Sequence, residues 1–102
     1  LHTDAAQAVG KLALDLTHLP IDLLSCTAHK LYGPKGVGAL YVGPRAQSQL
    51  SPLLHGGGQE QGLRPGTLAT HQIVGFGTAA GLALSEWQAE ADRLRGLRDH
   101  LW

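Results

Sequence analysis

Two short apolar runs, Ile21–Leu24 and "VGALYV" at 37–42, enclose the stretch "SCTAHKLYGPKG". Gly33-Pro34 and Gly36 are turn signals, so the runs read as two strands joined through a glycine–proline turn. That hairpin-like unit puts His29 and Lys30 at its near end. No other feature restricts the chain as much, because an ammonium at a strand end among apolar neighbours is costly. It has to be paired, neutralised or converted into another species. Taken by itself, Lys30 also reads as an ordinary surface lysine.

The flanks complete an α/β pattern. "LHTDAAQAVGKLALDL" begins like the tail of a strand with Asp4 just past its end, and Ala5–Ala8 predict a short helical turn that Asp4 caps. The segment 51–72, "SPLLHGGGQEQGLRPGTLATHQ", is glycine-rich and has no periodicity. It is long for a structureless connection, and such loops are usually functional or disordered. From His71 onward Ala80, Leu84, Trp87, Ala91, Leu94 and Leu101 fall on one helical stripe, broken by Arg98, that suits core or interface packing. Glu86, Glu90 and Asp92 precede Arg93, Arg95 and Arg98, the order a helix dipole favours. Gly75, Gly77 and Gly81 weaken the first turns, which predicts close packing against another element.

Composition removes several function classes. With 102 residues the chain makes one small domain with a modest core. Eight basic and eight acidic residues leave no basic excess for nucleic acid or an anionic membrane. No apolar run is as long as a membrane span and no signal peptide is visible. A single cysteine, Cys26, forms no internal disulfide and fits a reducing, cytoplasmic compartment. His2, His18, His55, His71 and His100 lack ligand spacing, so no metal site is expected. Lys35 precedes Gly36 without a following hydroxyl, unlike a phosphate-binding P-loop. The chain contains no methionine and reaches Trp102 with the helical pattern still running, which predicts a segment of a larger protein.

Three loop features converge on one ligand chemistry. Asp4 and Gln7 follow one strand end; Thr27, His29 and Lys30 follow another; Thr67 lies in the glycine-rich loop. Strand ends of open α/β sheets are where ligands bind. A lysine amine, a carboxylate and hydroxyl or imidazole donors are what pyridoxal 5'-phosphate requires. The amine forms an imine with the cofactor aldehyde, which removes the cost of the unpaired ammonium at Lys30. The carboxylate keeps the pyridine nitrogen protonated, and hydroxyl, imidazole and backbone donors hold the phosphate. Each residue has a plainer alternative. Asp4 can cap a helix, His29 can be a satisfied histidine at the core edge, Thr67 can be a turn residue and Arg64 a solvated loop charge.

"HTDAAQAVGKLALDL", "LLSCTAHKLYGPKGVGALYV" and "LLHGGGQEQGLRPGTLATHQIVG" resemble, in this order and over nearly the whole chain, consecutive motifs of the cysteine desulfurases. Those are class V aminotransferase-like enzymes of pyridoxal phosphate fold type I. The resemblance implies that residues 1–102 are a central segment of the large, aspartate-aminotransferase-like cofactor-binding domain. It implies that Lys30 binds the cofactor covalently, Asp4 pairs with the pyridine nitrogen and Gln7 bonds the ring hydroxyl. Thr27, Ala28 and His29 would hold the phosphate, and Thr67 would reach the phosphate bound by the neighbouring subunit of a homodimer. The implied activity is removal of sulfur from L-cysteine, giving alanine and a protein persulfide destined for a sulfur-acceptor protein in iron–sulfur assembly or thio-modification.

Some features depart from the pattern. Relatives usually carry serine at the position of Thr27 and often at that of Pro65, and proline there also suits selenocysteine-lyase-like members. The persulfide-forming loop cysteine, the arginine for the substrate carboxylate and the residues that stack on the pyridine are absent from this stretch. Cys26, four residues before Lys30, reads as small core filler. Alternatives are a selenocysteine lyase, another class V enzyme, or a structural piece that is inactive alone.

Overall fold

The computed structural model describes residues 1–102. Strands β1 (His2–Asp4), β2 (Leu23–Thr27) and β3 (Gly38–Val42) form one sheet in that order. β1 is parallel to β2 with Asp4 opposite Ser25, and β2 is antiparallel to β3 with Thr27 opposite Gly38. A parallel pair needs a crossover, and residues 5–22 supply it as a chain of turns. Its first turn is the expected helical one, closed by Ala8 and Val9 N–H groups on the Ala5 carbonyl at 2.9 and 3.0 Å. Asp4 is the last strand residue, and its Oδ1 accepts the Ala6 N–H at 2.9 Å.

The two-residue period of the strands gives the sheet two different faces. His2 Nε2 meets Ser25 Oγ at 3.3 Å on one of them. Leu24 and Cys26 line the other, in an apolar cleft of about 360 Å³ whose far wall is Ala80, Leu84 and Trp87. Between β2 and β3 lies a 3₁₀ turn, Ala28–Leu31; after β3 come α1 (Pro44–Gln47), a second 3₁₀ turn (Gln59–Gly62) and α2 (Thr70–Leu101).

Helix α2 runs for 32 residues, about 48 Å at 1.5 Å per residue. No helix is long and apolar enough to cross a membrane. The apolar stripe of α2 is used by this chain only in part. Trp87 and Ala91 are half-buried, whereas Leu84 and Leu101 are exposed. The single buried residue of α2 is Ala79. Packing around the helical glycines is likewise narrower than expected. A Cβ at Gly75 would lie 3.1 Å from Pro34 Cγ, while nothing lies within 4 Å of one at Gly77 or Gly81.

The seat of α2 depends on small residues. A Cβ at Gly33 would lie 3.0 Å from the Ala28 carbonyl oxygen, 3.1 Å from Ala28 Cβ and 3.2 Å from Ala79 Cβ. None of these atoms can rotate away. Gly33→Val is therefore expected to destabilise the full-length protein by about 1–3 kcal/mol, and Gly33→Ala by less. Urea unfolding measures both; a Gly33→Val midpoint equal to wild type would contradict the close approach described here.

Candidate functional site

Because β1 and β2 are parallel, their carboxyl ends lie at the same edge of the sheet, with neighbouring strands about 4.8 Å apart. The Ala5 N–H continues the ladder past Asp4 by donating to the Ser25 carbonyl at 2.8 Å. Asp4 ends β1 and Gln7 sits in the turn behind it; Thr27 ends β2, and Ala28, His29 and Lys30 form the 3₁₀ turn that follows. These residues share one sheet edge, the position where open α/β sheets take ligands. Thr67 stands apart, exposed in the loop leading into α2, and no hydrogen bond joins it to the others.

The turn carrying Lys30 is built around Ala28, which is fully buried. Thr27 is still extended at φ −138°, and the reversal is completed at Tyr32, which is left-handed at φ 61°. A bulky side chain rarely takes that conformation. Two N–H groups, those of Tyr32 and Gly33, converge on the Ala28 carbonyl and hold it. Tyr32 is a residue that sequence reasoning missed, since the adjacent Gly33 is the natural candidate for a left-handed position. The Ala28 N–H donates to the Val37 carbonyl at 3.1 Å, so this expected phosphate donor is already engaged within the fold.

Thr27 Oγ1 and His29 Nδ1 lie 2.9 Å apart and share a hydrogen bond. That bond orients the imidazole and leaves Nε2 as its remaining polar atom. The Thr27 hydroxyl also approaches the Val37 carbonyl at 3.4 Å. Lys11 Nζ donates to Gln7 Oε1 at 3.4 Å, a long and exposed contact. Asp4 is exposed, and the only hydrogen bond of its carboxylate is the local one with Ala6. Lys30 is half-buried and has no carboxylate partner. It borders a cleft of about 410 Å³ with Lys11, Tyr32, Glu86 and Trp87, and Asp4 is not part of that lining. Burial pushes the Cys26 thiol above its ordinary pKa, opposed by a weaker hydrogen bond from the Ala39 backbone.

An amine without an ion-pair partner, a carboxylate on the neighbouring strand end and a hydroxyl–imidazole pair on the turn of the amine form a mixed donor set. That set fits pyridoxal phosphate, whose aldehyde, ring nitrogen and phosphate call for these three kinds of group. Arg64 bonds only within its own loop, from Nη1 to the Gly66 carbonyl at 2.9 Å.

Comparison with known proteins places the chain in a family. Cysteine desulfurase IscS of Shewanella woodyi is 56% identical over 101 residues, which cover 99% of this chain and 25% of that protein. Among solved structures, a NifS-like protein superposes with a TM-score of 0.90 at 44% identity, covering 98% of this chain and 27% of its own. The structure titled SspA in complex with cysteine reaches a TM-score of 0.73 at 57% identity, over 78% of this chain and 23% of its own. The chain thus spans about a quarter of the length of the relatives it matches. The expected α/β class holds, since the shared fold is that of the type I pyridoxal phosphate enzymes, and the family implies that cofactor. The sequence profile of class-V aminotransferases matches residues 1–98, and the chain belongs to the aminotransferase class-V family.

Proposed function

We propose that residues 1–102 are part of the cofactor-binding domain of a pyridoxal phosphate-dependent cysteine desulfurase. The whole enzyme would break the C–S bond of L-cysteine, leaving L-alanine and a sulfur atom on a cysteine thiol of the protein as a persulfide. The observation that carries this reading is the shared edge of β1 and β2, with Asp4 on one strand end and the Thr27–Lys30 turn on the other. The 56% identity to a cysteine desulfurase over nearly the full chain supports the substrate class.

Bound pyridoxal phosphate supplies an electrophilic aldehyde and an electron-withdrawing ring. The residues of this chain divide the remaining work. Lys30 would hold the cofactor through its amine and would move the proton at the substrate α-carbon. Asp4 holds a proton on the ring nitrogen through its carboxylate, and Gln7 bonds the ring hydroxyl. Thr27 and His29, already joined to each other, offer a hydroxyl and an imidazole to the phosphate, while buried Ala28 seats the turn. Thr67 serves the phosphate of the neighbouring subunit, so the active form is a homodimer. The sulfur leaves to an acceptor protein in the cytoplasm, where a free thiol stays reduced.

Cys26 is not the thiol that takes up sulfur. It sits within β2, half-buried, with its pKa raised, so less of it is thiolate than of an ordinary cysteine at neutral pH. The nucleophile therefore comes from elsewhere in the protein, and residues 1–102 by themselves are expected to release no alanine.

In the full-length protein, borohydride is expected to fix the cofactor on Lys30, read by peptide mass spectrometry. Lys30→Ala should lose the label, and alanine release should fall by at least about 10²-fold. A labelled Lys30→Ala protein would remove the lysine from its assigned role. Selenocysteine in the same assay shows which chalcogen is preferred. Cys26→Ser should keep its alanine release, and wild-type Cys26 should alkylate more slowly with iodoacetamide than free cysteine at pH 8. Loss of turnover in Cys26→Ser would reverse the assignment of the sulfur-accepting thiol.

A further inference from the structure

The glycine-rich loop without periodicity is closed on itself. Gly66, at φ +107°, is held at both of its backbone polar groups by side chains. Gln59 Oε1 accepts the Gly66 N–H at 3.1 Å, and Arg64 Nη1 donates to the Gly66 carbonyl at 2.9 Å. The Gln59 amide has room because Gly57 lacks a side chain; a Cβ there would lie 2.5 Å from Gln59 Oε1. Gly56 makes similar room for Pro65, whose Cβ would be 2.9 Å from a Cβ at that position. The arm carrying Gly56 and Gly57 thus packs against the arm leading to Thr67.

The bend of the loop is conformationally demanding. Glu60 and Gln61 are left-handed at φ 49° and 57°, followed by Gly62 at φ 80°. Left-handed non-glycine residues persist where surrounding contacts impose them. One such contact is the hydrogen bond from Gln47 Nε2 in α1 to Gln61 Oε1 at 3.2 Å. Gly66 has the opposite problem. Glycine at positive φ is permitted many neighbouring conformations, so its backbone does not by itself aim the residue that follows. The two side-chain bonds on Gly66 supply that aim.

We propose that Gln59 and Arg64 are positioning residues that clamp Gly66 so that Thr67 is presented to the cofactor phosphate of the neighbouring subunit. This rests on the role given to Thr67 under the proposed function. Both clamp bonds are exposed, and such bonds add little to global stability. Their effect is local, on the direction of one short hydroxyl side chain.

The test uses the full-length, cofactor-loaded dimer and two readouts: residue-resolved hydrogen exchange at the Gly66 amide, and the dissociation constant for pyridoxal phosphate. Gln59→Leu removes the acceptor and is expected to speed Gly66 exchange about five- to tenfold while weakening cofactor retention. Gln59→Glu keeps an acceptor oxygen and should restore both towards wild type, and Arg64→Leu should weaken cofactor retention as Gln59→Leu does. Thr67→Val should weaken cofactor binding without speeding Gly66 exchange, and adding Gln59→Leu to it should cost nothing further.

Unchanged Gly66 exchange in Gln59→Leu overturns the clamp. An equal further loss of cofactor in the Gln59→Leu, Thr67→Val double variant overturns its action through Thr67. If Thr67→Val alone leaves cofactor affinity unchanged, the role of Thr67 fails, and the clamp is then judged on Gly66 exchange alone.

Discussion

Across the parallel ladder the Ala5 N–H reaches the Ser25 carbonyl at 2.8 Å, just beyond the Asp4–Ser25 pair, and this holds the ends of β1 and β2 side by side. The proposed site needs this register. A slip of one residue would reverse the faces of Asp4 and Thr3, and the carboxylate would leave the face on which His2 meets Ser25. The antiparallel partner β3 secures the other side of β2. The carbonyl of Val37, the residue before β3, also fixes the start of the turn that carries Lys30.

The chemistry at that edge is arranged by short-range contacts. His29 is oriented by the hydroxyl of Thr27, two residues away, and the Lys30 turn is closed on the carbonyl of Ala28. Neither contact involves a long side chain that must be immobilised, so the arrangement costs little rotamer entropy. Lys30 forms no ion pair, although Glu86 and Glu90 line the same cleft. An amine without an ion pair suits the role proposed for it, attachment to a cofactor and later release.

Much of this could be read from residue pattern. The apolar runs before and after the Gly33-Pro34 turn became β2 and β3, and the long period-3.6 segment became α2, starting one residue earlier than the pattern suggested. The placing of Asp4 and the Thr27–Lys30 stretch at strand ends was also legible, although Asp4 proves to be the last residue of β1 and not the one after it. The left-handed residue was not. Tyr32 takes that conformation one position before a glycine, under the pull of two hydrogen bonds to Ala28 that no composition rule encodes. The segment 51–69 hid its order for a related reason. Its contacts run between side-chain amides and the backbone of glycines, a pattern without period. The stripe on α2 announced burial correctly in kind, yet Leu84 and Leu101 face solvent in this chain, since amphipathicity records a face and not its partner.

The contact of Ala28, Gly33 and Ala79 has a mechanical side. Helix and lysine-bearing turn meet there through methyl groups and a bare α-carbon, with no room for even one added carbon at Gly33. Such a joint has no rotamers with which to absorb displacement, and packed interiors transmit strain instead of damping it. Sliding α2 along its axis by a fraction of an ångström is accordingly felt at the backbone of the turn itself, which makes the two move as one stiff piece.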